Sequence, residues 1–224
     1  MLIMKNILEA LAYIHSKNIV HRDLKPENLI LRNKDNDTEV LICDFGLACR
    51  VPEGKKLTLP CGSPGYVGPE VLSDRGEGYD TKVDIFSAGV ILYVILTGRA
   101  AFPGQEYKEI IKKNKHAEPK FETRYWQKVS ATGTEFVKLL MKKDPRERPT
   151  AEEALKHKWF RGGDEDDHMD EILDLGNELD DVMKERDILD ENRKKEDLKI
   201  PEGEDAVSDI KLLTATPVMV KRNL

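Results

Sequence analysis

The chain has 224 residues, 39% of them apolar and 35% charged, with a net charge of −6. That length buries a sizeable core and fits one domain with an appendage. No apolar run reaches the length of a membrane span, which argues against a membrane partner, and Met1-Leu2-Ile3-Met4-Lys5 lacks the layout of a secretory leader.

Leu2, Ile3, Ile7, Leu8, Leu11 and Ile14 recur at helical spacing and predict a helix over 2–17. Ile19-Val20 and Leu29-Ile30-Leu31 are short apolar runs on either side of a polar loop. Residues 39–43 (EVLIC) have strand composition, and 34–38 form a polar turn before them. Gly46, Pro52, Gly54, Pro60, Gly62, Pro64, Gly65, Gly68 and Pro69 forbid a long helix over 44–70 and predict an extended functional loop. Residues 84–97 (DIFSAGVILYVILT) are apolar nearly all round, as in a helix at the centre of a domain. Helical patterns follow at 105–115, 134–142 and 150–157.

Past Gly162-Gly163 the composition turns acidic, so residues 1–160 read as one domain and 161–224 as a partly helical or disordered tail. Residues 164–224 carry 20 acidic and 9 basic side chains, a net of −11, and residues 1–163 a net of +5. A mildly basic body suits an anionic ligand such as a nucleotide, or simply displays surface lysines; no nucleic-acid partner is expected. In the tail, Ile172, Leu175, Leu179, Val182 and Leu189 make a short heptad stripe, with Arg186 in its polar slot. The stripe packs on its own body or meets a partner helix. Cys43, Cys49 and Cys61 form neither a metal spacing nor an even set, so a reducing, cytoplasmic setting is the expectation.

Several motifs carry chemistry. His21-Arg22-Asp23-Leu24-Lys25-Pro26-Glu27-Asn28 places an aspartate five residues ahead of an asparagine in the polar loop. Asp44-Phe45-Gly46 follows the EVLIC strand, 21 residues after Asp23, and a carboxylate at a strand end suits a hard cation. Gly68-Pro69-Glu70 closes the extended loop, which also contains Cys61-Gly62-Ser63-Pro64-Gly65-Tyr66-Val67. Later come residues 79–93 (YDTKVDIFSAGVILY), 144–151 (DPRERPTA) and His157-Lys158-Trp159-Phe160.

Through these motifs the chain resembles the protein kinase family over 1–160, and within it the calcium/calmodulin-dependent serine/threonine group. The resemblance implies a mainly α fold: the helical C-terminal lobe of a kinase, with short strands around the catalytic loop and an acidic tail appended. It implies transfer of the γ-phosphoryl group of ATP to serine or threonine in protein substrates. That reaction needs an oriented hydroxyl, held metals and neutralised charge. Asp23 would orient or accept the hydroxyl proton, and Lys25 would reach the transferred phosphate. Asn28 and Asp44 would hold Mg2+ on the ATP phosphates. Ser63 would contact Asp23 and Lys25 and help choose the acceptor. Pro60, Pro64 and Val67 would line an apolar pocket for the residue after it, and Glu27 would face a basic residue ahead of it.

The remaining implied roles are architectural. Glu70 pairs with Arg148, Asp84 bonds the catalytic-loop backbone, and His21, Phe45 and Gly46 shape the site. Gly68 stands where the family writes alanine, a mild departure. Arg22 is of the kind that receives a phosphate from the loop. Thr58 is the nearest candidate, one place before the usual threonine, where Leu59 stands. A calmodulin-binding segment is a basic amphipathic helix, and the acidic tail is not one. Neither a GxGxxG loop nor a strand lysine precedes Asp23. The expectation is therefore a kinase fragment with trace activity alone. The competing reading is a pseudokinase-like binding or scaffold module without turnover, against which the persistence of Asp23, Lys25, Asn28 and Asp44 argues.

Overall fold

A computed structural model describes residues 1–33, 36–52, 54–73, 76–121 and 124–161. The acidic tail and its heptad stripe lie outside the described residues.

Helix α1 (Leu2–Ser16) buries Ile3, Met4, Ile7, Leu8, Leu11 and Ile14, the face that its periodicity marks. It ends at Lys17, and Asn18 turns the chain with a left-handed φ of 56°. Strand β1 (Ile19–Val20) pairs antiparallel with β4 (Cys49–Arg50). Between them, β2 (Leu29–Asn33) and β3 (Asn36–Ile42) form an antiparallel hairpin with Leu29 opposite Ile42 and Leu31 opposite Val40. β3 starts at Asn36, three residues before the apolar pattern. Ladder pairing with β2 recruits polar residues that hydropathy alone assigns to the turn.

Helix α2 (Lys82–Thr97) is buried on almost every side and ends at Gly98, with φ 61°. Helix α4 (Ala131–Leu140) packs against it at Gly89. A Cβ at Gly89 would stand 2.7 Å from Met141 Cγ and 2.8 Å from Leu140 Cβ, so only glycine admits this close approach. α3 (Tyr107–His116) lies between the two in sequence. The last predicted helix is a single turn, α5 (Ala151–Ala154), set by a capping box between Thr150 and Glu153. A 3-10 turn over Lys158–Arg161 follows, and Phe136 stacks on His157 and Trp159 to close this end. The main core joins α1, α2, α4 and α5. A smaller cluster of Val20, Val51, Val67, Val71, Tyr79 and Val83 lies under the long loop. Among the described residues no helix is long and apolar enough to cross a membrane.

One cation ties the long loop to this core. Arg148 is 1% exposed, with its guanidinium 4.9 Å from the centre of the Phe86 ring. All five of its N–H groups are used. Nη1 and Nη2 donate to the two carboxylate oxygens of Glu70 at 2.6 and 2.7 Å. The other three reach the carbonyls of Lys142, Lys82 and Lys143. Complete pairing is what lets a charge sit in the interior, and removing one member strands the other. Glu70→Ala should therefore lower stability by about 3–5 kcal/mol, seen as a drop of at least about 6 °C in thermal melting. A variant that melts like the parent contradicts this account of the loop's attachment.

Candidate active site

Asp84, in the first turn of α2, is fully buried, and it positions the 21–28 loop. Its Oδ2 accepts from the His21 N–H at 2.8 Å and from His15 Nε2 at 2.9 Å, and its Oδ1 accepts from the Arg22 N–H at 2.9 Å. Arg22 consequently holds a left-handed φ of 69°, unusual for a residue with a long side chain. His21 is also fully buried, and its ring couples two loops. Nδ1 accepts from the Asp23 N–H at 3.3 Å, so the other nitrogen carries the proton and Nε2–H donates to Cys43 O at 3.0 Å. Phe45 packs edge-on against the same ring at 5.0 Å.

The fixed loop presents Asp23 to the Cys61–Val67 stretch. Ser63 Oγ donates to Asp23 Oδ1 at 2.6 Å. Lys25 Nζ lies 2.9 Å from both Asp23 Oδ2 and Ser63 Oγ. Asn28 Nδ2 donates to Asp23 O at 2.7 Å and approaches Oδ2 at 3.4 Å. One carboxylate thus gathers a hydroxyl, an ammonium and an amide. The two loops meet this closely because of Gly62. Its φ is +117°, and a Cβ there would stand 2.6 Å from Arg22 O.

Asn28 commits its amide N–H groups to Asp23, which turns its carbonyl oxygen into the atom available to a cation. Asp44 is exposed at the end of β3 with a φ of 57°. One of its oxygens accepts from the Gly46 N–H at 3.1 Å. Both are hard oxygen donors of the kind that Mg2+ takes alongside phosphate and water. Among the described residues no group of three or more His, Cys, Asp or Glu could hold a metal by itself. A two-oxygen protein contribution completed by phosphate oxygens fits this donor set.

The expected peptide-facing residues are divided. Pro60, Pro64 and Glu27 are partly exposed. Val67 is not a surface lining residue: it is 4% exposed and belongs to the smaller core cluster, so it can only back the wall of a pocket. Sequence reasoning missed two supports. His15 caps the Asp84 cluster from the last turn of α1. Asn114, buried in α3, accepts from the Gly65 N–H and donates to Val67 O, each at 2.9 Å, and so braces the Cys61–Val67 stretch. Each makes its bonds far away in the sequence, and neither leaves a spacing signal.

The chain belongs to the protein kinase family, whose protein kinase domain model matches residues 1–160. It is 42% identical over 159 residues to the calcium/calmodulin-dependent protein kinase cmkA of Emericella nidulans, covering 70% of this chain and 38% of that protein. It is 39% identical over 170 residues to myosin light chain kinase A of Dictyostelium discoideum, covering 76% and 57% respectively. The probable serine/threonine-protein kinase 2 of Plasmodium falciparum is 45% identical over 166 residues, 74% of this chain and 32% of that protein. The chain thus spans between about a third and somewhat over half of these relatives.

The Asp84 cluster yields a direct test. Asn at this position can accept from fewer of the three donors and turns an N–H toward one of them. Asp84→Asn should cost about 1–3 kcal/mol and raise hydrogen exchange at the His21 and Arg22 amides at least tenfold. Unchanged exchange at these two amides contradicts the anchoring role.

Proposed function

We propose that this chain carries the catalytic and metal-holding part of a serine/threonine protein kinase, which transfers the γ-phosphoryl group of ATP to a hydroxyl in a protein substrate. The observation that carries this reading is the serine hydroxyl of Ser63 on the carboxylate of Asp23, at 2.6 Å, with Lys25 Nζ bridging the two. A hydroxyl donor bound there is in effect a stand-in for the acceptor side chain.

In the proposed reaction the acceptor docks beside Ser63 and points its proton at Asp23. The carboxylate orients the oxygen toward the phosphorus and receives the proton as the new O–P bond forms and the bond from the γ-phosphorus to the β–γ bridging oxygen breaks, releasing ADP. Lys25 supplies positive charge to the oxygens of the moving group. The oxygens of Asn28 and Asp44 would hold Mg2+, which neutralises phosphate charge when bound. Little covalent chemistry is asked of the protein, and its contribution is position and electrostatics. Pro60 and Pro64 support an apolar residue just after the acceptor, and Glu27 supports a basic one ahead of it. Cys43, Cys49 and Cys61 form no disulfide, which favours an intracellular setting.

The test is transfer of label from γ-labelled ATP to peptides by the protein in the longest form that its coding sequence encodes. Serine and threonine peptides with a basic residue upstream and an apolar residue after the acceptor should be labelled best. A preference for tyrosine, or for proline directly after the acceptor, contradicts the assignment. Asp23→Asn should lower turnover by about 10²–10⁴-fold with an almost unchanged melting curve. Near-normal turnover in that variant means that Asp23 neither orients the acceptor hydroxyl nor takes its proton.

A further inference from the structure

Arg22 places its side chain against the loop that leads to Ser63, and its partners there belong to the protein itself. Nε donates to Leu47 O at 2.6 Å, and Nη1 donates to the hydroxyl of Tyr79 at 3.3 Å. Tyr79 is 4% exposed, in the smaller core cluster just ahead of α2. A phenol hydroxyl has one proton to give and two lone pairs to fill. The proton goes to Leu59 O at 2.5 Å. One lone pair takes the Arg22 N–H. Cys61 Sγ, at 3.6 Å, must therefore act as donor and fills the other. Burial pushes the ionisation of both the Tyr79 phenol and the Cys61 thiol upward, so both protons stay in place at neutral pH.

The backbone of Tyr79 adds a second attachment. Its N–H and carbonyl exchange hydrogen bonds with the carbonyl and N–H of Leu57, both at 2.8 Å. Tyr79 therefore grips the residues on both sides of Thr58, Leu57 through its backbone and Leu59 through its hydroxyl. Thr58 itself is exposed. Two nitrogens of the guanidinium that a loop phosphate would seek are already committed to neutral acceptors.

We propose that Tyr79 is a positioning residue that clamps the 57–61 segment to Arg22 without a phosphate, so that the Ser63 stretch is presented to Asp23 whether or not Thr58 is modified. The consequence for substrate docking rests on the kinase reading above, whereas the clamp does not. Its chain of contacts is continuous. Asp84 holds the Arg22 backbone, the Arg22 side chain holds Leu47 and Tyr79, and Tyr79 holds Leu57, Leu59 and Cys61, two residues before Ser63.

The experiment uses the full chain after phosphatase treatment and needs no turnover. Amide hydrogen exchange is followed at Leu57 and Tyr79, with trypsin cleavage after Lys55 and Lys56 as a second readout. The unmodified chain should protect both amides and resist cleavage, and Thr58→Ala should behave identically. Tyr79→Phe keeps the ring and removes the hydroxyl. It should exchange and be cleaved at least tenfold faster in this segment, while amides within α2 keep their protection. In the peptide assay the same variant should raise the peptide KM several-fold with little change in the KM for ATP. The proposal is overturned if phosphatase treatment alone releases the segment, or if Tyr79→Phe leaves it as protected as in the parent. A Tyr79→Phe chain that fails to fold also overturns it, because the clamp is local to the segment. A chain that transfers no phosphate but shows the expected exchange pattern refutes the kinase reading alone.

Discussion

Everything near the proposed reaction hangs on one buried carboxylate. Asp84 sits at the start of a helix that is apolar on nearly every face. A charge there is tolerable only because three N–H donors, from α1 and from the 21–28 loop, converge on it. The requirement runs in both directions. The carboxylate needs the donors, and the loop can offer two consecutive backbone N–H groups only by taking Arg22 into a left-handed conformation. That conformation sends the Arg22 side chain to Tyr79 and sets Asp23 opposite Ser63.

Arg148 is the counterpart at the other end of the long loop. It is a buried cation with five donors and five acceptors, two of them on Glu70. Neither buried charge is an efficient source of stability, since apolar residues of equal volume often serve as well. What the two charges supply is a unique arrangement. A glycine- and proline-rich stretch, whose described residues have little regular structure beyond β4, is pinned at Glu70 and Gly62 and gripped by Tyr79, and it carries Ser63. Asn114 of α3 adds a pseudo-strand partner for the same stretch.

Much of this was legible in the sequence. The 3.6-residue period marks α1, the unbroken apolar run marks α2, and the two loop motifs single out Asp23, Lys25, Asn28 and Asp44. Ser63 lies within hydrogen-bond distance of Asp23 and Lys25, the contact that the resemblance implied. What escaped was long-range and singular. His15, Tyr79 and Asn114 are polar residues whose partners lie 18 to 69 positions away, and no periodicity encodes a partner. Val67 was expected at a pocket surface because the family resemblance implies that role for it together with Pro60 and Pro64. Its burial follows from the fold of the loop over Val20 and Val83, which hydropathy does not reveal. The start of β3 was misplaced for the same reason, because ladder pairing and not side-chain pattern sets it.

The proposed chemistry asks the protein to orient a hydroxyl and hold charge, with no nucleophile of its own between ATP and the acceptor. The stereochemistry at phosphorus tests this most directly. With ATP made chiral at its γ-phosphoryl group by oxygen isotopes, a single in-line transfer from ATP to serine inverts the configuration. The account predicts inversion in the phosphoserine product. Retention would mean two transfers through a phosphorylated protein side chain and would contradict the role assigned to the Asp23–Ser63–Lys25 cluster.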